Sequence, residues 1–555
     1  MSAQRSVVSH AKLIAICTLI SRITGLVRDI LLAQAFGLGW VQDAFAYAFQ
    51  FPNLFRRLLG EGAMAPVFVP TFTRTLENEG REAAWKLLAR TLALMTVTLV
   101  LVIIAIALII AAIWWLAPLD AEHAAARQLL LSLTVLMLPF MLTICVVALL
   151  SSLLNCIGSF VPAALTSIVL NVGMITAIAW LGPMLYPAQP TRQVYVVALA
   201  VVVSGVLQII FLVPALRANG VRFRWDLTWR DSTVQHMLRL LVPVALGQGV
   251  LAFGVFLDAQ VCTMLTHVAG TPHTATVLGW TFTYPLTEGA LSAITYAQRL
   301  YQFPLGVLVI SLATAALPAF SRLAARQEWP AWVAEVRQSL RLAVFEGVLA
   351  GVMMIVIPQA LTRLLFERGH FTPEDTVRTS YVVACYGFGL WAFCAQHIVL
   401  RAFYSVGDVR TPLTISAVLL PVNVALNVSL IWFDAIREAA FAVSSVTTSS
   451  LSIVIGLVLL QRRIGVALLD RATILALLWI VLAGVVTGVL VAAVQPGWGA
   501  LTAHVPSRLA ARAAETLGLL MIGTGVYVGA AWLMRLHEIA LLWPRRWRRS
   551  AAPPA

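Results

Sequence analysis

Runs of eighteen or more mostly apolar residues recur along this 555-residue chain from end to end, and nothing else constrains its fold as tightly. A bilayer's hydrocarbon core is about 30 Å thick, and about 20 residues of α-helix cross it. Inside lipid the backbone must satisfy its own hydrogen bonds, so such runs can be accommodated only as helices. Composition agrees: 60% of residues are apolar and 11% charged, against about 25% charged in soluble domains. The chain therefore reads as an all-α polytopic membrane protein of about fourteen transmembrane helices. The spans fall near 11–36, 40–73, 84–117, 126–155, 160–182, 193–216, 233–265, 290–322, 335–365, 376–405, 411–434, 438–461, 471–494 and 511–540. Those longer than one crossing imply tilt, kinks at internal prolines or extension into water. The first run continues past Arg22 and Arg28 with no small-residue cleavage pattern, so it reads as a retained span rather than a signal peptide.

The formal charge is +14, and Lys12 and Lys86 are the only lysines. A basic balance can signal nucleic acid, but these arginines sit mainly in short loops between apolar runs, where the positive-inside rule places them. One alternate set of loops carries Arg56, Arg57, Arg74, Arg81 and Lys86, then Arg217, Arg222, Arg224 and Arg230, then Arg322 and Arg326, Arg410, and Arg462, Arg463 and Arg471. The terminal Arg545, Arg546, Arg548 and Arg549 belong with it. The opposite loops at 37–42, 182–193 and 266–289 hold only Arg192, whereas 363–378 and 508–512 are mixed. Both termini are expected in the cytoplasm, with no nucleic-acid partner. Cys17, Cys145, Cys156, Cys262, Cys385 and Cys394 lie within or at the ends of apolar runs with no metal or CxxC spacing. They read as small buried hydrophobes.

A weak internal repeat organises the chain. Gln50-Phe51-Pro52 opens a stretch that ends Val69-Pro70-Thr71-Phe72-Thr73-Arg74, and Gln302-Phe303-Pro304 opens one that ends Leu317-Pro318-Ala319-Phe320-Ser321-Arg322. They fall on the second and eighth predicted helices, an even offset that implies two halves in one orientation, as in transporters built from parallel repeats. The expected organisation is two six-helix lobes, 1–217 and 218–465, followed by a helical pair and basic cytoplasmic tail over 466–555.

The first span holds Ser21-Arg22-Ile23-Thr24-Gly25-Leu26-Val27-Arg28-Asp29. Arg22 lies about 16 Å along the helix at 1.5 Å per residue, too deep to snorkel easily, and a cation at the bilayer centre costs about 2.5–3.5 kcal/mol on insertion scales. Ser21 and Arg28 share one stripe, and Arg22 and Asp29 an adjoining one. One alternative is a buried pair with Asp29; the other, favoured here because two arginines face one carboxylate, is a cation awaiting an anion. The second span adds Asp43, Asn53, Arg56, Arg57, Glu61 and Gly62, with Arg57 and Glu61 spaced to pair at i, i+4. Arg299 stands about ten residues into the eighth span beside Gln298 and Gln302. Three such cations would line a positively charged cavity suited to phosphate through the guanidinium fork.

These strings resemble the MurJ/MviN family. Its N-terminal signature is matched by Ser21 to Asp29, Phe36-Gly37, Asp43-Ala44-Phe45, Pro52-Asn53-Leu54, Arg56-Arg57 and Glu61-Gly62. Tyr296-Ala297-Gln298-Arg299-Leu300-Tyr301-Gln302-Phe303-Pro304-Leu305-Gly306 matches its eighth-helix signature. Leu365-Phe366-Glu367-Arg368-Gly369-His370-Phe371-Thr372 and Arg401-Ala402-Phe403-Tyr404-Ser405, with Asp408, Arg410, Thr411 and Pro412, match further stretches. The resemblance covers about 11–465. It implies a MATE-like fold of the MOP exporter superfamily, alternating access, and as substrate lipid II, an undecaprenyl-pyrophosphate-linked disaccharide peptide. It further implies cavity roles for Arg22, Arg28 and Arg299, an essential acid at Asp43, and a lipid groove near 471–540. Ser21, Asp29, Asn53, Arg57 and Glu61 complete the expected substrate-contacting set. Two departures stand out: Gln298 and Gln302 occur where some relatives carry acids, and the 266–289 loop is long.

The expected setting is the bacterial inner membrane, with lipid II and membrane lipids as partners and no resident cofactor or metal. Reset of the carrier is expected from Na⁺ or H⁺ coupling or from the membrane potential. Asp258, an intramembrane carboxylate, and the oxygens of Asn423, Asn427 and Thr447 (with Thr448) are candidates for the ion. Helix–helix hydrogen bonding is the alternative role for these residues. Two rival functions are another MOP-type exporter, for drugs or a different oligosaccharide lipid, and a membrane enzyme acting on polyprenyl phosphates. A cationic-drug exporter would favour carboxylates over arginines in the cavity, and the enzyme would need clustered carboxylates for Mg²⁺. No Asp-Asp pair, nucleophile–base motif or phosphate loop occurs, so no catalysis is expected.

Overall fold

The computed structural model describes residues 2–59, 65–116, 121–221, 225–228, 230–277 and 280–539. Glu61, Gly62, Arg222, Arg224 and the terminal Arg545, Arg546, Arg548 and Arg549 lie outside them. The chain divides into two compact units, Met1–Ser292 with Gly369–Phe371, and Ala293–Arg368 with Thr372–Ala555.

The first unit contains α1 (Ser2–Phe36), α2 (Trp40–Phe55), α3 (Ala65–Asn78), α4 (Arg81–Leu116), α5 (Ala121–Cys156), α6 (Phe160–Thr176), α7 (Gly182–Leu185), α8 (Pro190–Ala218) and α9 (Ser232–Met264). α5 is its hub, packed on α2, α4 and α8, while α1 lies on α6 and α9 on α2. Leu133, Met137, Phe140, Met141, Leu150 and Leu153 of α5 are all buried, which is why this helix is apolar around most of its circumference. α4 is the opposite case: Leu101, Ile104, Leu108, Ile109 and Trp115 stand exposed, an apolar surface that only acyl chains can cover. Gly37, at φ +59°, ends α1. A Cβ there would lie 2.4 Å from the His370 carbonyl oxygen, and the His370 N–H donates to the Gln34 carbonyl at 2.9 Å. The Phe36-Gly37 and Gly369-His370 motifs, distant in sequence, are thus two sides of one backbone contact.

The second unit contains most of α10 (Ala290–Pro304), then α11 (Ile310–Ala325), α12 (Trp329–Val356), α13 (Pro358–Leu365), α14 (Pro373–Gly387), α15 (Leu390–Ser405), α16 (Arg410–Leu430), α17 (Ala440–Ile464), α18 (Arg471–Thr502) and α19 (Arg508–Leu533). α12 is the hub here, packed on α11, α14, α15 and α18, and α18 pairs with α19. Gly518 makes that last pairing close, since a Cβ on it would sit 2.3 Å from the Trp498 ring.

Among the described residues, nine helices are long and apolar enough to cross a membrane, or ten counting α14 and α15, which meet at 45°. The chain is a multi-pass membrane protein. The expected count of about fourteen is not matched one for one; among the described residues the expected spans 40–73, 290–322 and 376–405 are broken, and 335–365 is cut after Val356. Proline is the recurring cause: it removes a ladder donor and crowds the preceding turn. Pro52 precedes a π-helical turn at 56–59, and Pro304 precedes another at Leu305–Val309, so both copies of the Gln-Phe-Pro repeat end in the same distortion. Pro358 separates α12 from α13. Gly387 and Gly389 bracket the α14–α15 bend, and a Cβ on Gly389 would lie 2.2 Å from Val446.

The 266–289 loop departs from pure helix. β2 (Thr274–Val277) and β3 (Trp280–Thr283) pair antiparallel, and β1 (Thr266–His267) pairs with β4 (Leu286–Thr287) at the root. The mixed loops also gain an explanation. Arg512 donates to Glu367 at 2.6 Å, and Arg363 lies 3.7 Å from Glu367 and 3.8 Å from Glu515. Arg378 pairs with Glu438. Three of the arginines that blur the charge asymmetry, Arg363, Arg378 and Arg512, are therefore structural cations, neutralised where they stand.

Candidate functional site

In the first unit the candidate site grows from the face that α1 turns to α6. Gly25 lies on that face, where a Cβ would make an ordinary contact 3.6 Å from the Asn171 amide nitrogen. Asn171 reaches in from α6 and is buried. Its Nδ2 donates to the Ser21 carbonyl at 3.2 Å and to Thr24 Oγ1 at 3.1 Å. Its Oδ1 accepts from Arg28 Nη1 at 3.0 Å. Arg28 also donates from Nε and Nη2 to Asp29 Oδ1, at 2.9 and 2.7 Å.

This geometry realises, for one of the two arginines, the alternative of a buried ion pair with Asp29. Asp29 pairs with its neighbour Arg28, not with Arg22 seven residues away, because the long guanidinium stem folds back along the helix to the adjacent carboxylate. Ser21 contributes its backbone carbonyl to the cluster, through Asn171. Both members of the pair are close to sealed, with side-chain exposures of 11% and 9%. A guanidinium has five N–H donors, and three of Arg28's are spent, which leaves one on each Nη. Arg22, half-buried on the same helix, makes no hydrogen bond or ion pair among the described residues. The excess cation of this face is Arg22, while Arg28 is oriented and partly neutralised.

Asp43 has a different task. Its Oδ2 accepts from the Gly289 N–H at 2.7 Å, and its Oδ1 from the Ser292 N–H at 2.8 Å and Ser292 Oγ at 2.5 Å. A carboxylate from α2 thereby does the work of an N-cap at the start of α10, where free backbone donors concentrate. Expected to contact substrate, Asp43 has both oxygens engaged by the chain. Asn53 and Arg57 lie half-buried at the end of α2 and in the π turn after it.

Arg299, in the second unit, is half-buried on α10 and donates from Nη1 to Gln302 Oε1 at 3.4 Å. Gln298 Nε2 donates to the Tyr386 hydroxyl at 3.2 Å. The two glutamines thus serve as hydrogen-bond partners around the arginine. Asp258 sits half-buried on α9 of the first unit, two residues before Gln260, which accepts from the Tyr47 hydroxyl at 2.7 Å. On α16, Asn427 Nδ2 donates to Asn423 Oδ1 at 3.2 Å, and Asn423 Nδ2 to Thr448 Oγ1 at 3.4 Å. Thr447 is exposed, one residue off this chain, so Thr448 replaces it as the α17 partner. The two amide nitrogens donate to the Asn423 oxygen and the Thr448 hydroxyl, which itself donates to the Ser444 carbonyl, the pattern of interhelical hydrogen-bonding glue.

Asn171 was not anticipated. Its signal in the sequence is a single amide within the apolar run Ile168-Val169-Leu170-Asn171-Val172, a polar group whose burial demands partners.

By fold, this multi-pass helical protein is similar to solved transporters of the MATE-like kind. A solved inward-facing MATE transporter of the MOP superfamily, described as conferring multidrug resistance, aligns over 81% of this chain and 98% of its own at a TM-score of 0.63 and 14% identity. A solved lipid II flippase MurJ in an inward-closed conformation aligns over 94% of this chain and 98% of its own, at a TM-score of 0.71 and 21% identity. In sequence, a probable lipid II flippase MurJ of Vibrio cholerae serotype O1 is 29% identical over 546 residues, covering 95% of this chain and 96% of the relative. The sequence model of the lipid II flippase MurJ family matches residues 32–504, and the chain belongs to that family.

Proposed function

We propose that this protein moves lipid II from the cytoplasmic to the outer leaflet of the bacterial inner membrane by alternating access of two lobes, with both termini in the cytoplasm. The physical problem is a pyrophosphate and a sugar–peptide head that must pass the hydrocarbon core without losing all polar contacts. Arg22 and Arg28 supply fork-shaped donors that substitute for water around the pyrophosphate. The polyprenyl tail stays in lipid, along the apolar faces of α18 and α19, where Leu478, Val485, Val489, Leu517 and Met521 are exposed.

The observation that carries this reading is Arg22: a guanidinium on a membrane helix, without a described partner, beside an arginine that keeps two donors. A substrate cation would find the wrong charge here, which disfavours drug export. The test is complementation of a cell depleted of its own lipid II flippase, together with lipid II translocation in proteoliposomes. Arg22→Ala and Arg28→Ala should each abolish both activities while the protein still reaches the membrane. Full activity in either variant overturns the role assigned to that residue.

A further inference from the structure

Glu346 on α12 and a row of ionisable side chains on α15 take no part in the site above. Glu346 lies ten residues before the end of α12 at Val356, about 15 Å at 1.5 Å per residue, which places it near the middle of a hydrocarbon core about 30 Å thick. Its Oε2 is sealed from solvent and has no hydrogen-bond partner. Nor does Glu346 form an ion pair among the described residues. A carboxylate held so deep without a counter-ion or donor is costly, and the neutral carboxylic acid costs less.

The surroundings point the same way. From α15, Cys394 packs beside Glu346: its Sγ would lie 2.9 Å from a Cβ on the next residue, Gly347. From α19, Tyr527 spends its hydroxyl on the Phe345 carbonyl at 3.0 Å. From α14, Tyr386 receives the Gln298 amide. On α12 itself, Arg341 is committed to Glu538 at 2.5 Å. Arg322, Arg363 and Arg471, from α11, α13 and α18, stand at helix ends. No base reaches Glu346 directly.

A route reaches it instead. Cys394, His397, Arg401 and Tyr404 are spaced three, four and three residues apart, so they form one stripe of α15. Cys394 is buried and the other three are half-buried. Arg401 Nε is also sealed and unpartnered, and Arg401 lies about one helical turn from both His397 and Tyr404. The stripe ends beside Ser405, which accepts from the Trp332 indole at 3.1 Å where α12 begins. It therefore runs from mid-depth to the Arg410 side of the molecule. Arg401 and Tyr404 belong to a sequence motif that substrate capture leaves unexplained.

We propose that Glu346 is a proton-carrying site of the transport cycle, loaded and unloaded along this face of α15 through water and the His397 imidazole, with Arg401 staying charged beside the path. The carboxylate takes up one proton to become a neutral acid in the conformation described, and returns it to water along the stripe in another. This rests on the transport reading, so the test has two arms.

The first uses the full-length protein in nanodiscs of phosphatidylethanolamine and phosphatidylglycerol, followed by infrared difference spectroscopy across pH. A protonated-carboxyl band present at neutral pH should vanish in Glu346→Gln and exchange more slowly in His397→Ala. The second measures the distribution of fluorescent lipid II across proteoliposome leaflets. With one proton coupled per cycle, a gradient of about one pH unit shifts that distribution about tenfold. Glu346→Gln should still equilibrate lipid II but show no shift. A band unchanged in Glu346→Gln, or a full gradient response in that variant, overturns the proposal. If wild-type protein moves no lipid II at all, the transport reading fails, and the infrared arm still decides whether Glu346 holds a proton.

Discussion

Arginine on a membrane helix has two fates, and α1 displays both. Arg28 is held by Asp29 and Asn171, so it is preorganised and half neutralised; Arg22 keeps its full charge. Lysine is a poor substitute where a planar fork grips a pyrophosphate, so Arg22→Lys should lower translocation by more than about tenfold while leaving folding intact. A rate within a factor of about two of wild type would show that charge alone suffices. Asn171→Ala should act indirectly, releasing Arg28 and removing interhelical bonds worth about 1–2 kcal/mol, and should raise the lipid II concentration needed for half-maximal rate. The acid at position 43 and the arginines of the first span were legible in the sequence by type and depth. That Asp43 is consumed as a remote cap, and that Asn171 aims Arg28, was not, because both facts depend on contacts across more than a hundred residues.

At the scale of elements, tight crossings and buried ion pairs set the rules. Gly518 admits the Trp498 ring against α19, so Gly518→Val should split the α18–α19 pair; the expected result is a destabilised protein with an accelerated protease cut near residue 505. Glu538 is nearly fully buried against Arg341, whose side chain is 23% exposed. Removing one partner of a buried pair costs about 3–5 kcal/mol, and the partial exposure of Arg341 puts Glu538→Ala toward the lower end. A melting-temperature measurement in detergent checks it, and no change would show that the pair is dispensable. Helix existence was readable from apolar runs throughout, whereas the breaks after Pro52, Pro304 and Val356 were not. Proline permits a kink, a π turn or a full stop, and neighbouring helices choose among them.

For the molecule as a whole, acid tolerance follows from carboxylates in the loops. Asp226 is pulled from its ordinary 3.8 to about 2 by hydrogen bonds from the Thr228 side chain and backbone and from Arg90. Asp408 loses some acidity to burial, but the Thr411 hydrogen bonds and the Arg463 charge outweigh this and leave it below the usual range. Carboxylates depressed in this way contribute stability above their unfolded pKa and lose it as pH falls through the folded one. Melting temperature should therefore be flat near neutrality and fall below about pH 4. In Asp408→Asn the neutral-pH value should already be lowered and the acid fall shallower. An acid limb of unchanged steepness in that variant would remove Asp408 from the account.

What the amino-acid order determined alone is the solvent this chain lives in, the number of apolar runs that must become helices, and the presence of cations where lipid forbids them. Those follow from composition and spacing, because hydrocarbon tolerates few exceptions. What only the tertiary structure decided is which charges are free. Arg28 and Arg22 look alike in sequence, as do Asp29, Asp43 and Glu346, and only the neighbours brought by packing separate the paired carboxylate from the cap and from the solitary acid.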